Sequence, residues 1–170
     1  TRISISFPFD FGYTDKKANH LQLLSNILGG NMSSLLFMEI REKRGLCYSI
    51  GSDITTYEDC GIFQIITGTQ KKNIKKILIE IKKILKLIKK NGISKKNYDD
   101  GKINFINKFL VNIDNVKDIA GYYTNKLLYN DFDKIKDHTD YVNRLKKISL
   151  NDLNKIIPEI FDFNKMNVVI

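Results

Sequence analysis

The amino-acid sequence predicts an α+β fold, in which several helices pack on a mostly antiparallel sheet. Apolar and polar residues alternate in three segments, and a fourth strand-like segment follows near the end: residues 3–9, 46–54, 62–69 and 166–170. Elsewhere apolar residues recur at steps of three and four, which is the period of amphipathic helices. The order is one strand, two helices, a hairpin, four or five helices and a last strand, without repeats or linkers. We therefore expect a single domain over residues 1–170.

The first strand and the first helix have clear signals. Ile3, Ile5, Phe7 and Phe9 alternate with smaller or polar residues, which predicts a half-buried strand. Pro8 has no backbone N–H, so this end of the strand should be an edge or a termination. Thr14-Asp15 provides an N-cap for a helix with a regular apolar stripe, formed by Ala18, Leu21, Leu24, Ile27 and Leu28. Gly29-Gly30 should end this helix, because glycine accepts the left-handed conformation.

A second, shorter helix should begin at a cap formed by Asn31, Ser33 or Ser34 and end at Gly45. It carries Leu36, Phe37 and Ile40 as apolar residues and Arg41 in its last turn. A hairpin follows, with strands over 46–54 and 62–69 and a polar turn between them.

The second half of the sequence is predominantly helical. Helices are predicted over 73–90, from a cap at Ser94 through Ile113, from about Asn115 to Leu127, and over 141–148. The helix from Asn115 should bury Val116, Ile119, Ala120, Tyr123 and Leu127. Ser149 and Asp152 have the spacing of a capping box for a last helix. That helix should end or kink at Pro158.

Composition indicates a globular protein, with 42% hydrophobic and 28% charged residues among 170. No apolar run approaches the roughly 20 residues of a membrane span, and the first residues lack the basic patch and apolar core typical of a secretory signal. Because the chain starts directly in a strand pattern, we expect a domain excised from a longer polypeptide. Cys47 and Cys60 should lie too far apart for a disulfide and should be buried thiols, which weakly favours a reducing compartment such as the cytoplasm.

The net charge of +9 comes mostly from lysines spread over helix faces. The sequence has no RNP-type aromatic residues, zinc knuckle or basic recognition helix. Solvated lysine faces explain the charge best, and electrostatic attraction to an acidic partner is an alternative. We therefore expect no nucleic-acid partner.

The most informative stretch is LGGNMSSLLFMEIREKRGLCYS, residues 28–49. It resembles the inactive, non-zinc half of the pitrilysin, insulinase and mitochondrial processing peptidase family of zinc peptidases. The order of elements resembles that half over the whole chain. The resemblance implies that Arg41 and Tyr48 hold a peptide substrate, since a guanidinium and a phenol can donate hydrogen bonds to a peptide carbonyl or an oxyanion. It also suggests that Gly29 and Gly30 belong to a loop of the substrate chamber.

Two simpler interpretations of this pair stay open. Arg41 lies among Glu39, Glu42, Lys43 and Arg44, which together have the composition of an ordinary charged helix tail. Tyr48 shares one face of the predicted strand with Leu46 and Ile50, so its ring would also fit a core position.

The catalytic half of this family carries an H-x-x-E-H motif on the helix after its first strand, where two histidines bind zinc and the glutamate is the base. The corresponding residues here are His20-Leu21-Gln22-Leu23-Leu24. Neither Leu23 nor Leu24 can bind a metal or accept a proton. We therefore expect His20 to be an ordinary surface residue. We also expect no metal site in this chain, and we expect the zinc to be bound by the partner half.

The resemblance implies a non-catalytic, substrate-holding domain of a zinc-dependent metalloendopeptidase that cleaves peptides enclosed between two homologous halves. Its partners would be a peptide substrate and a homologous zinc-bearing domain, in the same polypeptide or a separate subunit. This chain alone should be inactive. The alternative is a structural or assembly module of the same fold without a peptidase role.

Overall fold

The computed structural model describes residues 1–129 and 137–170. Their strands form an antiparallel sheet in the order β2-β3-β1-β4, comprising β1 (Arg2–Phe9), β2 (Ser49–Thr56), β3 (Gly61–Gly68) and β4 (Asn167–Val169). The helices are α1 (Lys16–Gly29), α2 (Ile74–Asn91), α3 (Lys95–Ile113), α4 (Val116–Tyr129), α5 (His138–Lys147) and α6 (Leu150–Ile160). The predicted α+β class is confirmed. The polar connection expected before Tyr141 lies partly outside the described residues.

One face of the sheet supports the core. Ile3, Ile5, Phe7 and Phe9 are all buried, as their alternation predicts. Phe7 lies opposite Phe63 of β3, and each of these rings meets Phe161 edge-on, with centroids 5.2 and 5.3 Å apart. Phe161 directly follows α6, so this aromatic cluster joins the last helix to the two central strands.

Pro8 lies where the sheet can tolerate a missing N–H. Thr1 and Thr69 exchange two backbone hydrogen bonds of 2.9 Å, so the even-numbered residues of β1 direct their backbone groups away from β3. On that side β4 pairs only with residues 4–6. Pro8 therefore faces a part of the strand that β4 leaves unpaired, in agreement with the prediction.

Helix α1 begins and ends near the predicted residues, but Gly29 and Gly30 are required for a different reason from the predicted one. The Asp15 side chain accepts a hydrogen bond of 2.7 Å from Lys17 N, and Gly30 N donates to Asn26 O at the other end. Gly30 has φ of −81°, so the expected left-handed conformation is wrong. Glycine is needed for space, since a Cβ atom on Gly29 would lie 2.3 Å from Ser52 N and one on Gly30 would lie 2.5 Å from Asn26 Oδ1.

The predicted second helix is a short segment, Phe37–Glu42, with a wide π-helical turn. Lys43 N donates to Met38 O, a bond that spans five residues. Upstream, Asn31 Oδ1 accepts a hydrogen bond of 2.8 Å from Ser33 N. The turn that follows the segment reaches Gly45, whose φ of 59° is the left-handed conformation predicted for a helix stop.

The predicted hairpin forms, but its first strand is shorter than expected. Strand β2 begins at Ser49 rather than at residue 46, and Tyr57 N donates to Cys60 O across a tight turn. Both cysteines are free thiols, as predicted. The expected burial is wrong for Cys60, which is exposed in this turn, whereas Cys47 is half-buried.

The helical second half agrees with the sequence except at α4 and Pro158. Helix α2 buries Ile77, Ile81, Leu85 and Ile88, and ends at Gly92 with φ of 75°. In α4, however, Val116 is 81% exposed, so the expected buried face is wrong. Tyr122 supplies the packing instead, against Phe109 and Tyr141.

Helix α6 starts with the predicted capping box. Asp152 N donates to Ser149 Oγ, and Ser149 N donates to Asp152 Oδ2, both at 3.1 Å. The helix continues past Pro158 to Ile160, so of the two predicted outcomes, an end or a kink, the end at Pro158 is wrong. Among the described residues, no helix is both long and apolar enough to span a membrane.

We expect Gly29→Ala to lower the free energy of unfolding by about 1–3 kcal/mol, the usual effect of overpacking. The added Cβ would meet two backbone atoms of β2, which cannot rotate away as a side chain can. Gly121→Ala is the matched control, because its Cβ meets nothing within 4 Å and alanine favours a helix. Urea denaturation of both variants tests this, and a Gly29→Ala variant as stable as wild type would show that α1 can move away from β2.

The capping box predicts a pH-dependent contribution to stability. Hydrogen bonds from the hydroxyl and the backbone N–H of Ser149 hold the pKa of Asp152 below its ordinary value. The folded state thus favours the ionised carboxylate. The contribution of Asp152 to the free energy of unfolding is therefore complete above the ordinary aspartate pKa of about 4, and it is lost as the pH falls through the lowered pKa of the folded state.

Asp152→Asn should therefore destabilise the protein at neutral pH, and its difference from wild type should narrow on acidification. Asp100→Asn, at an exposed position of α3, is the control and should show a small difference throughout. Denaturation curves over a pH series measure both. A constant Asp152→Asn difference would contradict the proposed role of the carboxylate.

Candidate functional site

Arg41 is held at the surface by the short helical segment before β2. Its guanidinium lies 4.5 Å from the centre of the Phe37 ring, and its Nε is 3.9 Å from Glu42 Oε1. The side chain is 40% exposed. Below it, the fully buried Ile40 anchors the segment, and its carbonyl accepts a hydrogen bond from Leu46 N. A rigid backbone therefore carries a partly exposed cation.

Tyr48 lies immediately before β2 and is not a core residue. Its backbone N donates 2.8 Å to Gly68 O, which attaches this residue to the end of β3. The ring is 66% exposed, and its hydroxyl accepts a hydrogen bond of 2.7 Å from Gln70 Nε2. The core interpretation of Tyr48 is therefore wrong. The hydroxyl keeps its own proton for an additional acceptor.

The two side chains flank the reversal of the chain at Gly45. Gly45 N donates to Arg41 O at 2.9 Å, which closes the turn that returns the chain toward Tyr48. Between them, burial raises the pKa of the Cys47 thiol, while Thr67 and the positive charge of Arg41 act in the opposite direction. Among the described residues, no hydrogen bond joins Arg41 directly to Tyr48. Both side chains thus present donors near the start of β2 without being paired to each other.

The neighbouring charges form a network from which Arg41 is separate. Glu39 accepts hydrogen bonds from Lys43 and Arg44, which lower the pKa of its carboxyl group. Arg44 also lies 3.1 Å from Glu80 of α2. The interpretation of an ordinary charged helix tail therefore fits Lys43 and Arg44. Within the described residues, Arg41 makes the long contact with Glu42 and lies against the Phe37 ring, outside this network.

The residues at the position of the family's metal motif do not fit zinc. Leu23 and Leu24 are buried in the core, facing away from solvent. The His20 ring places Nδ1 2.9 Å from the Lys16 carbonyl oxygen of its own helix. Within the part of the chain that is described, no three His, Cys, Asp or Glu side chains gather into a group that could hold a metal ion. No step of catalysis can be assigned to a metal on these residues.

Sequence reasoning missed a groove beside β2, which we call the β2 groove. It has a volume of about 420 Å³ and is lined by residues of β2, α1 and α3 and by Tyr122 and Tyr141. Burial raises the pKa of Tyr122 to about 12 and that of Tyr141 further. The Tyr141 hydroxyl donates 2.6 Å to Gln22 Oε1 of α1. The only sequence signal was a set of aromatic residues at helical spacing, which is equally typical of a core.

Gly29 and Gly30 end helix α1. Gly29 is the last residue of α1 and touches β2, while Gly30 lines the β2 groove. The position of Gly30 at the groove follows the close packing of α1 on β2.

Comparison with known proteins identifies the family to which this chain is similar. A family model described as Peptidase M16 inactive domain matches residues 1–105. YmxG of Bacillus subtilis strain 168, named an uncharacterized zinc protease, is 30% identical over 142 residues, which cover 83% of this chain and 34% of that protein. The chain thus spans about a third of the length of this relative.

Solved structures share the fold. A peptidase M16 inactive domain from Pseudomonas fluorescens superposes with a TM-score of 0.83 at 22% identity, over 98% of this chain and 40% of that chain. A chain of complex III₂ from Candida albicans gives a TM-score of 0.80 at 13% identity, over 98% of this chain and 41% of that one. The family match spans 105 of 170 residues, and its agreement with the fold confirms the resemblance drawn from residues 28–49. The chain belongs to the peptidase M16 inactive-domain family.

Proposed function

We propose that this chain is the non-catalytic, substrate-holding domain of a zinc-dependent metalloendopeptidase that cleaves peptides enclosed between two homologous halves. The observation that carries the proposal is the pair Arg41 and Tyr48. Both are exposed donors on ordered backbone near the start of β2, and neither takes part in the neighbouring ion-pair network. Family membership and a relative named a zinc protease support the same role.

The chemistry of the pair suits a peptide held for hydrolysis. The Arg41 guanidinium offers several N–H donors, and the Tyr48 phenol offers one. Directed at a peptide carbonyl, they would fix the scissile bond and stabilise the oxyanion that forms when water attacks. Gln70 supports Tyr48 by donating to its hydroxyl, which leaves the phenolic proton to point elsewhere. Gly29 and Gly30 would form part of the chamber wall beside this pair.

The zinc would be held by a homologous partner domain. Leu23 and Leu24 occupy the positions of a base and a ligand, and both are buried. The relative named a zinc protease is about three times as long as the matched segment, which leaves room for a metal-bearing half. In this proposal the chain holds the peptide and the partner supplies the metal that activates water.

A structural or assembly module of the same fold is the second candidate. The similarity to a chain of complex III₂ supports it, because that assembly carries this fold at a TM-score of 0.80. Such a module would not need the two donors. The two functions are separated by whether Arg41 and Tyr48 affect peptide turnover.

We expect Arg41→Ala and Tyr48→Phe to lower kcat/KM for peptide cleavage by the assembled enzyme, each by about tenfold to a thousandfold, because each removes a donor that strengthens in the transition state. Arg41→Lys should recover part of the loss by keeping the charge. Tyr57→Phe is the matched control, since Tyr57 is also exposed but lies in the hairpin turn. Steady-state kinetics with a quenched fluorescent peptide measure the effect.

Zinc content and thermal stability should be unchanged in these variants. The lower kcat/KM can then be attributed to lost contacts with the substrate. Wild-type turnover in both Arg41→Ala and Tyr48→Phe would remove the assignment of the site and favour the structural module.

We also expect the 170-residue chain to bind no stoichiometric zinc, because its motif position carries leucines. Metal analysis after dialysis against zinc measures this, and His20→Ala should give the same result as wild type. Stoichiometric zinc that is lost in His20→Ala would contradict the proposed division between the two halves.

A further inference from the structure

The net charge of the protein is concentrated on one helix and the turn before it. Residues 71–90 contain nine lysines and a single acidic residue, Glu80, which gives this segment a net charge of +8. The other 150 residues contain 19 basic and 18 acidic residues, a net charge of +1. The rest of the chain is therefore nearly neutral, and an attraction of the protein to a polyanion would come mainly from α2.

The lysines of α2 form one continuous face. At about 100° per residue, eight positions of this helix fall within an arc of about 140° on the side opposite the buried stripe. One of them is Ile79, and the other seven are exposed lysines: Lys75, Lys76, Lys82, Lys83, Lys86, Lys89 and Lys90. We call these eight residues the α2 lysine face. From Lys75 to Lys90 it is about 23 Å long.

The ammonium groups of this face have no counter-charges nearby. Among the described residues, no carboxylate lies at ion-pair distance from any of the seven lysines. Glu80 lies on the flank of α2 and pairs with Arg44 at 3.1 Å. Helix α3 differs, since its Lys95 pairs with Asp99 one turn later. The α2 lysine face therefore keeps its positive charge for an external partner.

Three of these cations meet around one aromatic ring. The Nζ atoms of Lys82, Lys86 and Lys89 lie 5.7, 5.9 and 5.9 Å from the centre of the Phe163 ring. Lys89 also donates a hydrogen bond of 2.9 Å to the Phe161 carbonyl oxygen. The ring contacts favour this arrangement, but like charges one turn apart repel each other. A phosphate group bound between the lysines would relieve that repulsion.

Ile79 adds an apolar group in the middle of the charged face. Its side chain is 55% exposed, and it lines an apolar groove of about 200 Å³ together with Leu78, Met166 and Val168. Lysines around an exposed aliphatic group are typical of proteins that lie on anionic bilayers. Sequence-specific nucleic-acid binding uses arginine, amide or aromatic side chains, and the α2 lysine face has none of them.

From this geometry we propose that the α2 lysine face binds the surface of a membrane that contains anionic phospholipids, with the lysines at the lipid phosphates and Ile79 at the boundary of the acyl chains. Attraction to such a surface falls off within the Debye length, about 8 Å at physiological ionic strength. A straight helix that lies parallel to the bilayer brings all seven lysines within this distance at once. The face includes neither Arg41 nor Tyr48, so the proposal does not depend on the substrate-holding role.

The test is flotation of the 170-residue chain with vesicles of phosphatidylcholine that contain about 30% phosphatidylserine. We expect saturable binding at low salt and no binding to vesicles of phosphatidylcholine alone. Binding should be lost as the KCl concentration rises to about 0.5 M, because salt screens the lysines.

Charge substitutions test whether the α2 lysine face is the binding surface. One variant removes three charges from the face: Lys76→Gln, Lys83→Gln and Lys90→Gln. Its control removes the same charge from exposed positions of α3 and α4: Lys96→Gln, Lys108→Gln and Lys117→Gln. The α2 variant should bind the anionic vesicles about tenfold more weakly or worse, whereas the control should bind nearly like wild type. Circular dichroism of both variants verifies folding.

Ile79→Ser tests the apolar contact separately from the charges. It should weaken binding to the anionic vesicles by about threefold or more, because less apolar surface leaves water. Ile103→Ser is the matched control, since Ile103 is 61% exposed on α3 and should not contact the bilayer.

No binding to the anionic vesicles, equal binding to neutral vesicles, equal losses in the two lysine variants, or wild-type binding of Ile79→Ser would each overturn the proposal. Tighter binding to a short DNA duplex or to polyglutamate, at the same salt and the same concentration of anionic groups, would assign the face to a nucleic acid or to an acidic protein and would overturn it too.

Discussion

The close backbone contact between the end of α1 and β2 is the constraint on which the rest of the structure depends. Gly29 approaches Ser52 so closely that no Cβ atom would fit, and the Ser52 hydroxyl adds a hydrogen bond of 2.7 Å to the Ser25 carbonyl. This contact sets the height of α1 above the sheet. It thereby fixes the floor of the β2 groove and the point from which the chain departs toward Arg41. The position of the groove and the start of the segment that carries Arg41 therefore both depend on the close approach of Gly29 to Ser52.

Much of the fold was predictable because its signals are local. Alternation placed the four buried residues of β1 on one face, and the Ser149 capping box was correct to the residue. Errors arose where distant contacts decide the outcome. Gly30 was expected to end the helix in the left-handed conformation, but glycine is required there because a Cβ atom would not fit beside Asn26. Val116 looked buried, but it is 81% exposed, and no element in the described part of the chain covers it. Helical periodicity identifies a face and does not state whether anything packs on it.

The candidate site was predictable only in part, for a related reason. Arg41 and Tyr48 lie close in sequence around one turn, so a contiguous stretch was sufficient to propose them. The exposure of Tyr48 excludes its interpretation as a core residue, and exposure depends on the rest of the fold. The β2 groove combines residues of α1, β2 and α3 that are far apart in sequence. Its aromatic residues have the same spacing as core residues, so no local pattern distinguishes them.

The left-handed glycine between Arg41 and Tyr48 has a consequence for the thermodynamics of recognition. A Cβ atom on Gly45 would meet nothing within 4 Å, so its residue type is set by the φ of 59° alone. This torsion, together with the hydrogen bond from Gly45 N to Arg41 O, sets the direction in which the backbone returns from Arg41 toward Tyr48. In the proposed function, a peptide carbonyl would meet two groups whose backbone is already ordered, so the association step would lose less backbone entropy. The turn would then act as preorganisation, independent of any contact that it makes itself.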